Sequence, residues 1–202
     1  ILFHTRLAVI DIKNGKQPMT IRRNGEIFTI VYNGELYNTD ELRRQLTLLG
    51  ETFTGHSDTE VLLKAYVRWG ESCLDRLNGI FAFAVLHKNE KKLFVARDRM
   101  GVKPFFYCRN GDTFVFASEI KTILKYPDVK PVIDREGITE ILLVGPGRTP
   151  GCGVFKGIAE LRPGEYGILT EKNLTIKRYW SLKDRIHTDS LEETVENVRT
   201  LV

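Results

Sequence analysis

Asn33, Gly34 and Glu35 follow directly on an apolar run, and their side chains and backbone suit one kind of chemistry. A carboxamide N–H and a backbone N–H unhindered by a side chain, meeting at one strand end, supply two neutral donors for an oxyanion. Glu35 adds a negative charge beside them. The alternative is a plain turn, because Asn-Gly is the commonest two-residue turn signal; yet a helix start, not a returning strand, follows at Asn38-Thr39-Asp40, which weakens the hairpin. Arg6 stands where the first apolar run begins, and Asp58 where a helix begins. An arginine fork binds a carboxylate and a carboxylate binds an ammonium, so together they offer what an α-amino acid requires. Their alternatives are a solvated strand-end charge for Arg6 and an N-cap or first-turn carboxylate for Asp58.

The elements that must position these residues are legible from pattern. Leu7 to Ile12 reads as a strand ending in the turn Lys13-Asn14-Gly15, and Ile27 to Tyr32 as a second strand leading to a tight turn at Asn33-Gly34. Glu41–Leu49 has apolar Leu42, Leu46 and Leu49 at helical spacing before Gly50. Ser57 or Asp58 is expected to cap a helix to Trp69, with Val61, Leu62, Ala65 and Trp69 on one face and Gly70 as its stop. Strands are expected at Ile80–Leu86, Leu93–Arg97, Phe105–Cys108, Phe114–Ala117, Glu165–Leu169 and Leu174–Tyr179, with a short helix from Asp134 to Leu143, a Gly/Pro loop at Gly145–Gly153 and an amphipathic helix at Leu191–Val202. Clustered strands with short turns and a consecutive helix pair predict an α+β fold of antiparallel sheets. Ile80–Leu86 is apolar at both parities, which predicts a sheet covered on both faces.

At 202 residues, with 42% hydrophobic and 28% charged residues, the chain has an ordinary globular composition and no sign of disorder. Its 30 Lys+Arg and 26 Asp+Glu are interspersed, which disfavours nucleic acid as a partner. No apolar run approaches the ~18 residues of a membrane span, so neither a membrane nor a targeting segment is expected, and a cytoplasmic location is. Three widely spaced cysteines, Cys73, Cys108 and Cys152, suggest free thiols. The four histidines have no ligand spacing, so no metal is expected; a P-loop is absent, and Gly145-Pro146-Gly147 breaks the dinucleotide-binding spacing. The chain begins at Ile1 inside a strand-like run and stops at Val202 inside a helix-like one, so a fragment is expected.

Six blocks then carry a resemblance. They are His4-Thr5-Arg6-Leu7-Ala8-Val9-Ile10-Asp11, Tyr32-Asn33-Gly34-Glu35-Leu36-Tyr37-Asn38, Ser57-Asp58-Thr59-Glu60-Val61, Asn78-Gly79-Ile80-Phe81-Ala82-Phe83-Ala84, Ala96-Arg97-Asp98-Arg99-Met100-Gly101-Val102-Lys103-Pro104 and Ala117-Ser118-Glu119-Ile120-Lys121. In this order they resemble the glutaminase domain of glutamine-hydrolysing asparagine synthetases, which are class II amidotransferases. The resemblance implies a four-layer αββα sandwich of the N-terminal nucleophile hydrolase type. It implies that Arg6 grips the α-carboxylate of glutamine, Asp58 its α-amino group, and Glu35 helps at the ammonium end. Backbone of Leu7, Ala8, Val9 and Ile10 is implied to line the pocket, with Asn33 and Gly34 as the oxyanion pair. No direct chemical role follows for the last two blocks, whose Arg97, Asp98, Arg99, Glu119 and Lys121 are expected to form salt bridges.

The resembling enzymes begin at a mature cysteine whose thiolate attacks the carboxamide while its own α-amino group acts as base. Residue 1 here is Ile, so residues 1–202 alone are expected to be inactive without that cysteine. Residues 1–180 are expected to form the amidotransferase domain, and 181–202 a linker and the start of a helix leading into a synthetase domain. The expected activity is hydrolysis of glutamine to glutamate and ammonia for amidation of aspartate. Another class II amidotransferase with a different acceptor, or a glutamine-binding domain without catalysis, is the alternative. No cofactor is expected in this domain, with ATP and Mg²⁺ in the synthetase domain. The expected partners are glutamine, the ammonia-accepting synthetase domain of the same full-length chain and, as an alternative to a monomer, a second copy in a homodimer.

Overall fold

The computed structural model describes residues 1–5, 15–184 and 186–201. Nine strands and five α-helices build two antiparallel sheets among the described residues. The strands are β1 (Met19–Arg23), β2 (Glu26–Leu36), β3 (Gly79–His87), β4 (Lys92–Arg97), β5 (Phe106–Asn110), β6 (Thr113–Ala117), β7 (Ile158–Glu160), β8 (Glu165–Leu169) and β9 (Leu174–Arg178). The larger sheet runs β1-β2-β3-β4-β8-β9 and the smaller β6-β5-β7. The helices are α1 (Thr39–Leu48), α2 (Asp58–Trp69), α3 (Ile120–Ile123), α4 (Arg135–Thr139) and α5 (Leu191–Leu201), and a π-helical turn continues α4 over Glu140–Val144.

Side-chain alternation sorts the strands into layers. Ile30, Tyr32, Phe81, Phe83, Val85 and Phe94 pack with Leu42, Leu46, Val61, Leu62 and Ala65 of α1 and α2. Their sequence neighbours Val31, Ala82, Ala84, Leu93 and Val95 face the other way and meet Phe105, just ahead of β5, and Phe114 and Phe116 of β6 in the second sheet. Small Ala82 and Ala84 leave room there for the stacked rings of Phe105 and Phe116, 5.2 Å apart. Phe106, Cys108 and Ile158 turn outward onto Ile123 and Val129, so a thin layer of α3 and its following segment completes the fourth layer. The expected αββα stacking and the doubly apolar β3 are thus one observation: alternate residues of a strand serve different interfaces.

The described structure also departs from expectation in local ways. β2 does not stop at Tyr32; it continues to Leu36, with Asn33 opposite Ala82 and Gly34 opposite Phe81 in the β3 ladder. The expected tight turn at Asn33-Gly34 is therefore wrong, because the residues on both sides of it pair with one continuous partner strand. β1 and β7 are not among the expected strands; β1 joins β2 through Asn24-Gly25, both at positive φ as a two-residue hairpin requires. The strand expected at Leu7–Ile12 lies outside the described residues. No helix among the described residues is long and apolar enough to cross a membrane.

Candidate functional site

The carboxyl-terminal half of β2 positions the central residues. The Phe81 backbone is engaged on the side away from β2: Asp98 N–H donates to its carbonyl at 2.8 Å and the Asp98 carboxylate accepts its N–H at 3.2 Å. Gly34 lies opposite Phe81, so the antiparallel alternation turns Gly34 N–H away from β3. Residues of the other parity confirm the phase, since Tyr37 N–H donates to Asn78 O of the β3 side at 2.8 Å. Gly34 N–H therefore points to the margin of the sheet beyond the start of β1 at Met19. A side chain is excluded at Gly34 by the β3 backbone, because an added Cβ would lie 2.2 Å from Ile80 O and 2.8 Å from Phe81 Cα.

Asn33 is half-buried and projects from the face that carries Val31 and Ala82, toward the second sheet. Its carboxamide makes no hydrogen bond to another described residue. Glu35, two residues on, shares that face and is exposed. Tyr32 projects from the opposite face, and its hydroxyl donates to Asp58 Oδ2 at 3.0 Å. The structure thus brings Asp58 to the same stretch of β2 as Asn33 and Gly34, but by way of Tyr32 and on the other side of the strand. Arg6 and the backbone of Leu7, Ala8, Val9 and Ile10 lie outside the described residues.

The position of Asp58 follows from its helix. Ser57 is the N-cap of α2, its hydroxyl accepting Thr59 N–H at 3.1 Å, which leaves Asp58 in the first turn and not at the cap. Asp58 Oδ1 accepts the same N–H at 2.8 Å. The loop ahead of it is pinned by Glu60, whose carboxylate accepts Thr54 N–H and Gly55 N–H, each at 3.0 Å, and pairs with Lys64 at 3.0 Å. Burial would raise the Glu60 pKa, but these donors and the Lys64 ammonium outweigh it and hold the carboxyl below its ordinary value.

Arg97 and Asp98 carry structure, and only one of them through a salt bridge. Arg97 is buried, pairs with Glu160 at 3.1 Å and donates to the carbonyls of Gly101, Lys103 and Leu161 at 2.7 Å. Asp98 makes no ion pair among the described residues. Its carboxylate instead accepts N–H groups from Phe81, Met100, Val102 and Lys103, because a carboxylate without a cation nearby is satisfied by backbone donors. Arg99 likewise reaches a carbonyl, that of Asp75, while Glu119 and Lys121 form the expected surface pair.

No internal cysteine is placed as a nucleophile. Cys73 is fully buried and Cys108 nearly so, and burial pushes both thiols up, away from the reactive thiolate. Cys152 lies in the loop that follows α4, hydrogen-bonded to Val154 N–H. Tyr32, which holds Asp58, and Gln17, whose carboxamide bonds both the N–H and the carbonyl of Tyr32, carry the least sequence signal. Gln17 precedes a proline in no recognisable motif, while Tyr32 could have been noticed as the α-facing neighbour of Asn33.

A model of the glutamine amidotransferase domain matches residues 1–180. Over all 202 residues the chain is 54% identical to asparagine synthetase (glutamine-hydrolyzing) 3 of Bacillus subtilis strain 168, covering 33% of that protein. It is 33% identical to asparagine synthetase (glutamine-hydrolyzing) 1 of the same organism, over 98% of this chain and 31% of that one. The glutamine phosphoribosylpyrophosphate amidotransferase from B. subtilis, complexed with ADP and GMP, superposes with a TM-score of 0.63 at 26% identity, over 90% of this chain and 35% of the other. The chain spans about a third of the length of these relatives. Its two stacked antiparallel sheets between helical layers are the N-terminal nucleophile hydrolase arrangement of such amidotransferases. With the match extending over residues 1–180, this chain belongs to the glutamine amidotransferase domain family.

Proposed function

We propose that residues 1–180 form the glutaminase of an asparagine synthetase, releasing ammonia from glutamine for the amidation of aspartate elsewhere in the full-length protein. The observation that carries the reading is a pair of donors on β2 without a partner among the described residues: the Asn33 carboxamide and Gly34 N–H, which is turned to the margin of the sheet away from β3. A tetrahedral oxyanion seated between them gains two neutral hydrogen bonds that the planar amide uses less well. Asp58 takes the α-ammonium, Arg6 the α-carboxylate, Leu7, Ala8, Val9 and Ile10 line the pocket with backbone, and Glu35 adds negative charge near the ammonium end.

The attacking thiolate in this reading belongs to a mature N-terminal cysteine ahead of Ile1, its α-amino group taking the thiol proton and passing it to the departing ammonia. Water then cleaves the thioester to give glutamate. The 54% identity to a protein named a glutamine-hydrolyzing asparagine synthetase favours aspartate as acceptor over the phosphoribosyl acceptor of the 26% identical structure. Residues 181–202 act as linker and first helix toward the synthetase part, which holds ATP and Mg²⁺; the reading places the protein in the cytoplasm.

The test is made in the full-length protein. Asn33→Ala should lower kcat for glutamine hydrolysis by ~10²–10³ with a smaller change in KM. Replacing Cys73, Cys108 and Cys152 together by serine should leave hydrolysis intact. An unchanged kcat in Asn33→Ala, or loss of turnover in a folded triple-serine protein, would remove the assignment.

A further inference from the structure

Asp58 is held by a closed ring of hydrogen bonds that begins and ends on β2. Gln17 lies where β1 has not yet started, and its carboxamide replaces a neighbouring strand: Oε1 accepts Tyr32 N–H at 2.6 Å and Nε2 donates to Tyr32 O at 2.9 Å. The same Nε2 reaches Thr59 Oγ1 at 3.4 Å, tying β2 to the first turn of α2. Thr59 N–H donates to Asp58 Oδ1, and Tyr32 Oη donates to Asp58 Oδ2, which closes the ring. Both carboxylate oxygens thus have a fixed donor, and the carboxylate plane is set by groups from two elements.

Tyr32 is 4% exposed, wedged in the core beneath α2. Burial first, then the Asp58 carboxylate, pushes its phenol far above the ordinary range, so the hydroxyl remains a donor at every working pH. A short contact with a rotating side chain would leave an aspartate in the first turn of a helix free to swing toward its helix N–H groups or toward solvent. The ring removes that freedom.

We propose that Tyr32, itself locked by Gln17, is a positioning residue that aims the Asp58 carboxylate at the α-ammonium of the substrate and so sets the preference for an α-amino acid. The inference rests on the assignment of Asp58 to that ammonium. Tyr32 does not touch the reacting atoms; it acts only through Asp58. Its hydroxyl is a requirement of ground-state and transition-state binding alike, because the ammonium does not change during amide hydrolysis. The expected signature is therefore in KM.

The experiment compares glutamine with glutaramate, which is glutamine without its α-amino group, in the full-length protein and its Tyr32→Phe, Asp58→Asn and double variants. A hydrogen bond to a charged group is worth about a tenfold change in affinity or more. Tyr32→Phe should raise KM for glutamine about tenfold with kcat within about twofold, and leave kcat/KM for glutaramate unchanged. Asp58→Asn should raise KM for glutamine further, and adding Tyr32→Phe to it should have no additional effect. If Asp58→Asn raises KM but Tyr32→Phe does not, the positioning role is overturned while Asp58 keeps its assignment. If Asp58→Asn leaves KM unchanged, the assignment of Asp58 itself falls. Equal losses on glutamine and glutaramate in Tyr32→Phe would show a general structural role and overturn the inference even if that variant is less stable.

Discussion

Asp98 extends the β3–β4 ladder by one residue at Phe81, with a backbone N–H donating to the Phe81 carbonyl at 2.8 Å and a side-chain oxygen accepting the Phe81 N–H at 3.2 Å. A carboxylate here stands in for a strand carbonyl. Because Phe81 is satisfied from that side, its cross-strand neighbour Gly34 keeps its own N–H for the opposite margin. The resemblance assigns no direct chemical role to the block that contains Asp98, yet Asp98 fixes the phase of the strand pair on which the proposed oxyanion donors sit.

Replacing Asp98 by asparagine should be nearly as damaging as replacing it by alanine. Oδ1 accepts Met100 and Val102 N–H and Oδ2 accepts Phe81 and Lys103 N–H, so either orientation of an amide turns its NH₂ toward two donors. Asp98 is 1% exposed, and water cannot repair the loss. We expect each variant to lose about 3–5 kcal/mol of unfolding free energy, measured by urea denaturation. A loss under about 1 kcal/mol in Asp98→Asn would show that the four donors find other acceptors.

Gly34→Ala should fail on backbone grounds. The added Cβ must clear Ile80 O and Phe81 Cα, and both belong to β3 main chain that cannot rotate away. Gly79→Ala meets a comparable obstacle, Glu35 O at 2.3 Å, farther along the same ladder. Both should cost about 2–3 kcal/mol or more. In whatever folded fraction remains, Gly34→Ala should show the larger loss of kcat for glutamine hydrolysis, because only there is the displaced N–H one of the proposed donors. Equal kcat in the two variants would argue that Gly34 is required for packing alone.

Much of the fold was legible because alternation and helical spacing report burial directly. β3, β4, β8 and the capped α2 came from runs such as Ile80–Leu86 and from Ser57 ahead of Val61, Leu62 and Ala65. β1 was not legible, since Met19–Arg23 is an edge strand of mixed polarity whose side chains are half-covered or exposed. Asn33-Gly34 misled local reading for a physical reason: a glycine demanded by close strand approach and a glycine demanded by a turn look alike in sequence. The residue types of the candidate site suggest the chemistry proposed for it, but the links between them, through Gln17 and Tyr32, are long-range contacts that no local pattern encodes.

Stability should acquire a pH dependence through Glu60. Its folded-state pKa lies below the ordinary 4.5, so its contribution is fully present above that value and is lost as pH falls through the lower folded value. The unfolding free energy of the wild type relative to Glu60→Gln should therefore be constant near neutrality and shrink as pH drops below about 4.5. Denaturation of the two proteins at matched pH between neutrality and strong acid checks this. A difference that grows on acidification would mean that burial dominates and the carboxyl is raised.

The last helix should be the weakest in a polypeptide of residues 1–202. α5 has a well-formed start, in which Ser190 Oγ accepts Glu193 N–H at 3.3 Å and Glu193 Oε2 accepts Ser190 N–H at 2.8 Å. It nonetheless buries nothing: Leu191, Val195, Val198 and Leu201 line up on one stripe and are 43–86% exposed. An unpacked helix shorter than ~12–15 residues is marginal in water, and a capping box adds only about 1 kcal/mol. Amides of Leu191–Leu201 should therefore exchange at least ~100-fold faster than those of α2, whose apolar face is enclosed by the larger sheet. In the full-length protein the same amides should slow if the stripe meets the synthetase part. Strong protection of α5 already in residues 1–202 would mean that the stripe is covered within this domain, and the boundary proposed at residue 180 would have to move past it.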